Sequence, residues 1–279
     1  MTHERGQRWL LVLLACLHLP SGEGVFQNAS DWSTGVVISL ATIPGREDML
    51  RDTIASLIAQ TARVPIFVAI PETFARFPSA RYKVPDWLRS LECEGVWVKR
   101  CEDRGPITKL ACALEMLPGV SRIITVDDDM AYHPRVVENL IRWSDRFKGM
   151  AVAHAGHRIT QAPFDTKSFW YLRPAHHALS TGASVPFPVE ADVLHGWAGA
   201  LYPAEKMDLG SLLDYGDLGD DAFQVDDQWV SGVLGAWRIK IMVVPSPEPV
   251  ALPLAPVVAA TGGLSGDTAG QIAREQRLV

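Results

Sequence analysis

The chain has 279 residues, 48% of them hydrophobic and 21% charged, with 26 basic side chains against 32 acidic ones. That length suffices for one large core or two small ones, and the apolar fraction excludes a largely disordered chain. A formal net charge of −6 offers no basic face of the kind a nucleic-acid partner requires, so that class of partner is excluded.

From the amino terminus, residues 9–19 form an apolar run preceded by Arg5 and Arg8 and followed by Pro20, Ser21 and Gly22. The run is shorter than the roughly 18–20 residues that span a bilayer, and its flanks are those of a secretory signal. Residues 1–24 therefore read as a signal peptide or a short membrane anchor. Asn28-Ala29-Ser30 is an N-glycosylation sequon just beyond it. Cys16 lies in the signal; of Cys93, Cys101 and Cys112, the first two are placed to bridge a strand pair in an oxidising lumen. Cys112 falls in a predicted helix as a buried apolar residue.

Residues 36–40 and 65–70 are apolar, β-rich runs, and the helical face of residues 46–60 between them carries Met49, Leu50, Ile54, Leu57 and Ile58. Strand, helix, strand at this spacing is a βαβ unit of a parallel sheet. A strand over 96–99, a helix over 109–117 and a strand over 123–126 continue the pattern. They are followed by a helix from about Pro134 and a strand near 150–153. The second half is less regular: residues 162–188, with His176 and His177, form an elaborated loop or hairpin region, 190–194 resumes a strand, and 238–244 is the last strand. The Pro-rich residues from 245 onward read as a tail. The fold class is α/β, a mostly parallel central sheet flanked by helices, with residues 30–244 as one domain.

The sharpest chemical feature is Asp127-Asp128-Asp129 at the end of the buried run Ile-Ile-Thr-Val. On an extended chain Asp127 and Asp129 project to one side and Asp128 to the other. Ligands bind outside the carboxyl ends of parallel strands. Crowded carboxylates need a cation, and a hard ion such as Mg²⁺ or Mn²⁺ supplies it while keeping positions open for phosphate oxygens.

This stretch resembles the D-x-D motif of nucleotide-sugar-dependent glycosyltransferases of the GT-A fold, in a family-2-like eukaryotic and viral subgroup. Four further segments follow in that family's order. They are Val37 to Arg46, Gly105-Pro106-Ile107-Thr108-Lys109, Gly196-Trp197-Ala198-Gly199 and Asp226-Asp227-Gln228-Trp229. The resemblance implies a single Rossmann-like GT-A domain that uses a UDP- or GDP-linked sugar donor, a glycan or glycoconjugate acceptor and Mn²⁺ or Mg²⁺. Thr42, Pro44, Arg46, Lys109, Asp127 and Asp128 are then the donor-binding residues, and Asp127 and Asp129 the metal ligands. Gly196, Trp197 and Trp229 face the acceptor. Asp226 and Asp227 supply the general base, or cap the helix they open. Many GT-A enzymes add a late histidine to the metal, and this chain has none after His195. The implied compartment is the lumen of the secretory pathway, endoplasmic reticulum or Golgi, or the exterior. Two other readings stay open at this point: a haloacid-dehalogenase-type magnesium-dependent phosphatase, and a catalytically silent carbohydrate-binding protein on the same fold.

Overall fold

The computed structural model describes residues 35–159, 180–181, 185–216, 226–246 and 249–254. The expected signal or anchor, the Asn28 sequon, most of 162–188 with His176 and His177, and residues 255–279 lie outside them. Among the described residues no helix is long and apolar enough to cross a membrane.

Strand β1 (Val36–Ala41), helix α1 (Glu47–Ile58), β2 (Ile66–Pro71), the single turn α2 (Asp86–Arg89) and β3 (Val96–Cys101) open the fold. Helix α3 (Thr108–Met116), β4 (Arg122–Thr125), β5 (Met130–Tyr132), α4 (Val136–Arg146), β6 (Ala151–Ala153) and β7 (Ala155–His157) follow. Beyond these come β8 (Ser180–Thr181), β9 (Val189–Ala191), β10 (Val193–Leu194), β11 (Ala200–Tyr202), α5 (Leu209–Leu213), α6 (Asp226–Ala236), β12 (Ile241–Val243) and β13 (Ala251–Pro253).

An eight-stranded sheet of order β3-β2-β1-β4-β11-β6-β12-β9 is the frame. Its strands β1 and β2 have almost no exposed side chain, so both faces must be covered, and crossover helices do this. Side chains alternate across it. Val36, Ile38 and Leu40 enter the core that α1 and α4 complete, whereas Val37 enters the core shared with α3 and α6. Strands β3, β2, β1 and β4 are mutually parallel, and β12 is parallel to β6. All of this matches the α/β architecture expected.

Strand β11 alone is antiparallel to both its neighbours, and this places the site. Ala200 pairs with Thr125, so the residues just before β11 lie beside those just after β4. The segment 195–199 and the aspartate triplet thereby meet at the sheet edge where β1, β2, β3 and β4 all end.

Three expectations are corrected. Residues 190–194 do not make one strand: Asp192 turns the chain, its backbone N–H donating to His157 O at 3.0 Å, so β9 joins the large sheet and β10 pairs with β7. The strand at 241–243 is not the last. β13 pairs antiparallel with β5, and Val250 and Ala251 are buried, so the ordered domain runs past residue 244 into the Pro-rich segment. Leu252 is exposed and Pro253 ends the pairing, which is where a strand edge tolerates proline. Finally, Cys101 pairs with Cys112, not Cys93, across a Cα–Cα distance of 6.3 Å.

That disulfide joins the end of β3 to α3 and closes an 11-residue separation. Loop-closure entropy gives such a bridge about 3 kcal/mol. Reduction, or the Cys101→Ser/Cys112→Ser pair, is expected to lower the thermal midpoint by roughly 6–12 °C. An unchanged midpoint in reductant would contradict this.

Candidate active site

Each wall of the site comes from a loop at a strand's carboxyl end. After β1, Gly45 turns the chain at φ +88, a conformation that suits glycine, and delivers Arg46 to the start of α1. After β2 come Phe74, Arg76 and Phe77. After β3 the segment 102–108 leads into α3, with Asp103 accepting hydrogen bonds from the N–H groups of Ala75 at 2.7 Å and Gly105 at 2.9 Å. The Ser39 hydroxyl of β1 donates to the Lys109 carbonyl and fixes the first turn of α3 against the sheet. After β4, Asp128 and Asp129 form a turn into β5, so the strict alternation expected for the three acids is lost.

The turn separates the acids by partner. Lys109 Nζ lies 2.8 Å from Asp127 Oδ1 and 3.0 Å from Asp226 Oδ2, and so joins the triplet to the first residue of α6, about a hundred positions later in the chain. Burial alone depresses the Lys109 ammonium, but Asp127, Asp226 and Asp227 outweigh it and hold it cationic. Arg46 Nη1 lies 2.6 Å from Asp128 Oδ1 and 3.3 Å from Asp129 Oδ2. Burial raises the proton affinity of both carboxyls, opposed in each by the Arg46 charge. The Asp128 side chain is 5% exposed and that of Asp129 32%. Asp128 is thus the anchored partner and Asp129 the accessible one.

Asp227 has a different environment. Its Oδ1 accepts the Gly196 N–H at 2.9 Å, and its Oδ2 lies 3.7 Å from His195 Nδ1. The His195 ring in turn meets His157, with 2.9 Å between Nε2 and Nδ1. Burial first, and the adjacent Asp226 charge second, push the Asp227 carboxyl up to about 8, against the pull of Lys109. A Cβ on Gly196 would stand 3.3 Å from both Asp227 Oδ1 and Lys109 Nζ and would press on both groups.

Tyr132 of β5 locks the two halves together. Its hydroxyl accepts the Asp127 N–H at 2.8 Å and donates to the Trp197 carbonyl at 3.0 Å. Leu254, just past β13, donates its N–H to the Asp129 carbonyl at 2.9 Å. The backbone of the aspartate turn is therefore held at both ends.

A small, half-open cleft lies beside these groups. Of the residues expected at the donor, Thr42, Arg46, Lys109, Asp127 and Asp128 line it, and Pro44 is not among its lining residues. Phe74, Arg76 and Phe77 line it too. They were missed in the sequence because a loop with no periodicity carries them. Gly196 and Trp197 stand at the aspartates, although the Trp197 ring packs against the core. Trp229 turns away from its expected acceptor role. Its indole N–H donates to Leu212 O at 2.8 Å, its ring packs on Tyr215, and the helical spacing to Val233 puts it on the core face of α6.

No family model matches the chain, and no curated protein matches it in sequence. Solved structures do match in fold. GalNAc-T7 with UDP, GalNAc and Mn²⁺ superposes with a TM-score of 0.52 at 11% identity, over 85% of this chain and 48% of that one. TarS of S. aureus gives 0.51 at 12% identity, over 79% of this chain and 36% of that one. The mannosyltransferase PcManGT from Pyrobaculum calidifontis, in complex with GDP-Man and Mn²⁺, gives 0.49 at 14% identity, over 92% and 67%. The chain thus spans about half or less of the first two structures' lengths. Their shared architecture, together with the sheet described above, defines the chain as a single α/β domain of the GT-A, Rossmann-like fold.

Proposed function

We propose that the chain is a metal-dependent glycosyltransferase that moves a sugar from a UDP- or GDP-linked donor to a hydroxyl of a glycan or glycoconjugate. The observation that carries this reading is the Lys109 bridge. It ties Asp127, after β4 and lining the cleft, to Asp226, the first residue of α6, at the carboxyl ends of parallel strands. A phosphatase of the rival type uses the acids of its first strand, whereas these acids follow β4.

The donor set fits a hard divalent ion, Mn²⁺ or Mg²⁺. Asp127, Asp128, Asp129, Asp226 and Asp227 face only Arg46 and Lys109 as charged cationic partners within salt-bridge distance in the described residues, apart from His195 if protonated. No group of three or more protein ligands converges there among the described residues. Such ions bind through one or two carboxylates, with phosphate and water completing the shell. Asp129, the accessible carboxylate, and Asp127 are the ligands in this reading. Bound there, the metal offsets the charge that develops on the diphosphate as the sugar–phosphate bond breaks.

The chain's own groups divide the remaining work. Thr42 and the residues after β2 flank the nucleotide, while Arg46 and Lys109 meet the diphosphate. Asp226 is held by Lys109, which leaves Asp227 as the general base beside Gly196 and Trp197. The acceptor oxygen bonds to the anomeric carbon, the nucleoside diphosphate departs, and the hydroxyl proton passes to the ionised form of Asp227, a form that grows as pH rises toward about 8, with inversion. The Cys101–Cys112 bridge favours an oxidising compartment, the secretory lumen or exterior, entered through residues 1–24 as signal or anchor.

A panel of nucleotide sugars with Mn²⁺ tests this by release or transfer of sugar. One donor is expected to be turned over, and Asp129→Ala to abolish the turnover. Equal rates in the variant would refute the assignment.

A further inference from the structure

The metal-binding carboxylate of this reading is already neutralised by the protein. Arg46 Nη1 reaches Asp128 at 2.6 Å and Asp129 at 3.3 Å, so one permanent cation serves both acids. A guanidinium does not deprotonate in proteins, and here burial is outweighed by Asp128, Asp129 and Asp127, which reinforce its charge. A divalent ion on Asp129 would share that carboxylate with a fixed positive charge and be repelled by it. The second acidic group is likewise occupied, since Lys109 holds Asp127 and Asp226.

We propose that Arg46 is an internal counter-ion that withholds the metal site until a nucleoside diphosphate arrives, so that metal and donor bind as a coupled pair. This inference rests on the glycosyltransferase reading and concerns the order in which its site fills. Arg46 lines the open cleft together with Thr42 and Lys109, where a diphosphate would lie. Phosphate oxygens match the planar fork of a guanidinium better than one oxygen of Asp129 does. The buried carboxylate of Asp128 keeps the Arg46 side chain in place during the exchange. Asp129 is then released to the metal, and the diphosphate supplies the ligands the protein lacks. Because linkage is reciprocal, the metal tightens the nucleotide by the same factor.

The test is Mn²⁺ binding to the full chain, read from the loss of the free-ion spin-resonance signal, without nucleotide and with UDP or GDP. Wild type is expected to bind Mn²⁺ at least tenfold more tightly when the matching nucleotide is present. Arg46→Met should bind Mn²⁺ more tightly than wild type in the absence of nucleotide, with the nucleotide effect reduced. Arg46→Lys, which keeps the charge and loses the fork, should resemble wild type without nucleotide and gain less from it. Asp129→Asn should remove the nucleotide-dependent binding in each background. Wild type binding Mn²⁺ equally with and without nucleotide would overturn the proposal without needing any variant. So would unchanged nucleotide-free affinity in a folded Arg46→Met protein. If neither UDP nor GDP binds with Mn²⁺ present, the glycosyltransferase reading itself fails, which is a different result from nucleotide binding that ignores Arg46.

Discussion

Asp227→Asn is expected to abolish sugar transfer and at the same time to stabilise the protein in alkaline solution. The amide keeps an oxygen for the Gly196 N–H but takes no proton from an acceptor, which removes a factor of about 10²–10⁴ in rate. The stability effect follows from the raised proton affinity of Asp227, about 8 in the folded chain against an ordinary 3.8. Below about pH 4 both folded and unfolded chains hold the proton, and the group has no effect. Between these values the unfolded chain loses it first, so stability falls as pH rises, and the loss is complete above the folded value. Asparagine carries no such penalty. In chelator, the variant should melt at the same temperature as wild type near pH 4. At pH 9 it should melt clearly higher than wild type. A variant that melts lower at pH 9 would contradict the burial and repulsion assigned to this carboxyl.

Lys109→Met is expected to have the opposite effect on stability, with a loss of donor binding as well. The ammonium is shared by Asp127 and Asp226, and Asp227 is drawn to it too. Its removal leaves adjacent half-buried carboxylates facing one another. Breaking a fully buried pair costs about 3–5 kcal/mol, and the 31% and 20% exposure of Asp127 and Asp226 reduces this to about 2–3 kcal/mol. Thermal unfolding should show a drop of roughly 4–12 °C at neutral pH. Asp226→Asn added to Lys109→Met should restore part of that loss, because it removes one of the stranded charges. Donor binding should not return in the double variant. If Lys109→Met melts like wild type, the bridge is not the electrostatic link between the two acidic groups.

The first half of the fold was legible because its signals are strong. β1 and β2 are buried, almost wholly apolar runs of the kind a doubly covered sheet accommodates, and α1 shows its buried face at helical spacing through Leu50, Ile54 and Leu57. The aspartate triplet was readable as a site because it interrupts such a run where ligands bind. What the sequence concealed depends on contacts between distant segments. Met130–Tyr132 has too few residues to alternate, and its partner β13 lies among prolines, which read as breakers although β13 uses one at its end. Tyr132 therefore carried no signal, yet it joins Asp127 to Trp197. The Cys101–Cys112 pair needs the middle of α3 to return to the end of β3, which spacing does not specify. The packing of Trp229 was readable, since its helical spacing to Val233 marks the core face of α6. The same helix sends its first two residues in different directions, about 100° apart. This is why Asp226 reaches Lys109 while Asp227 reaches Gly196.

Calorimetric titration of the full chain with UDP- and GDP-linked sugars, in the presence and absence of Mn²⁺, tests the central claim most directly. Saturable binding of one nucleotide class is expected, dependent on Mn²⁺ and lost in Asp129→Ala. Absence of binding for every donor with Mn²⁺ present would contradict the glycosyltransferase assignment.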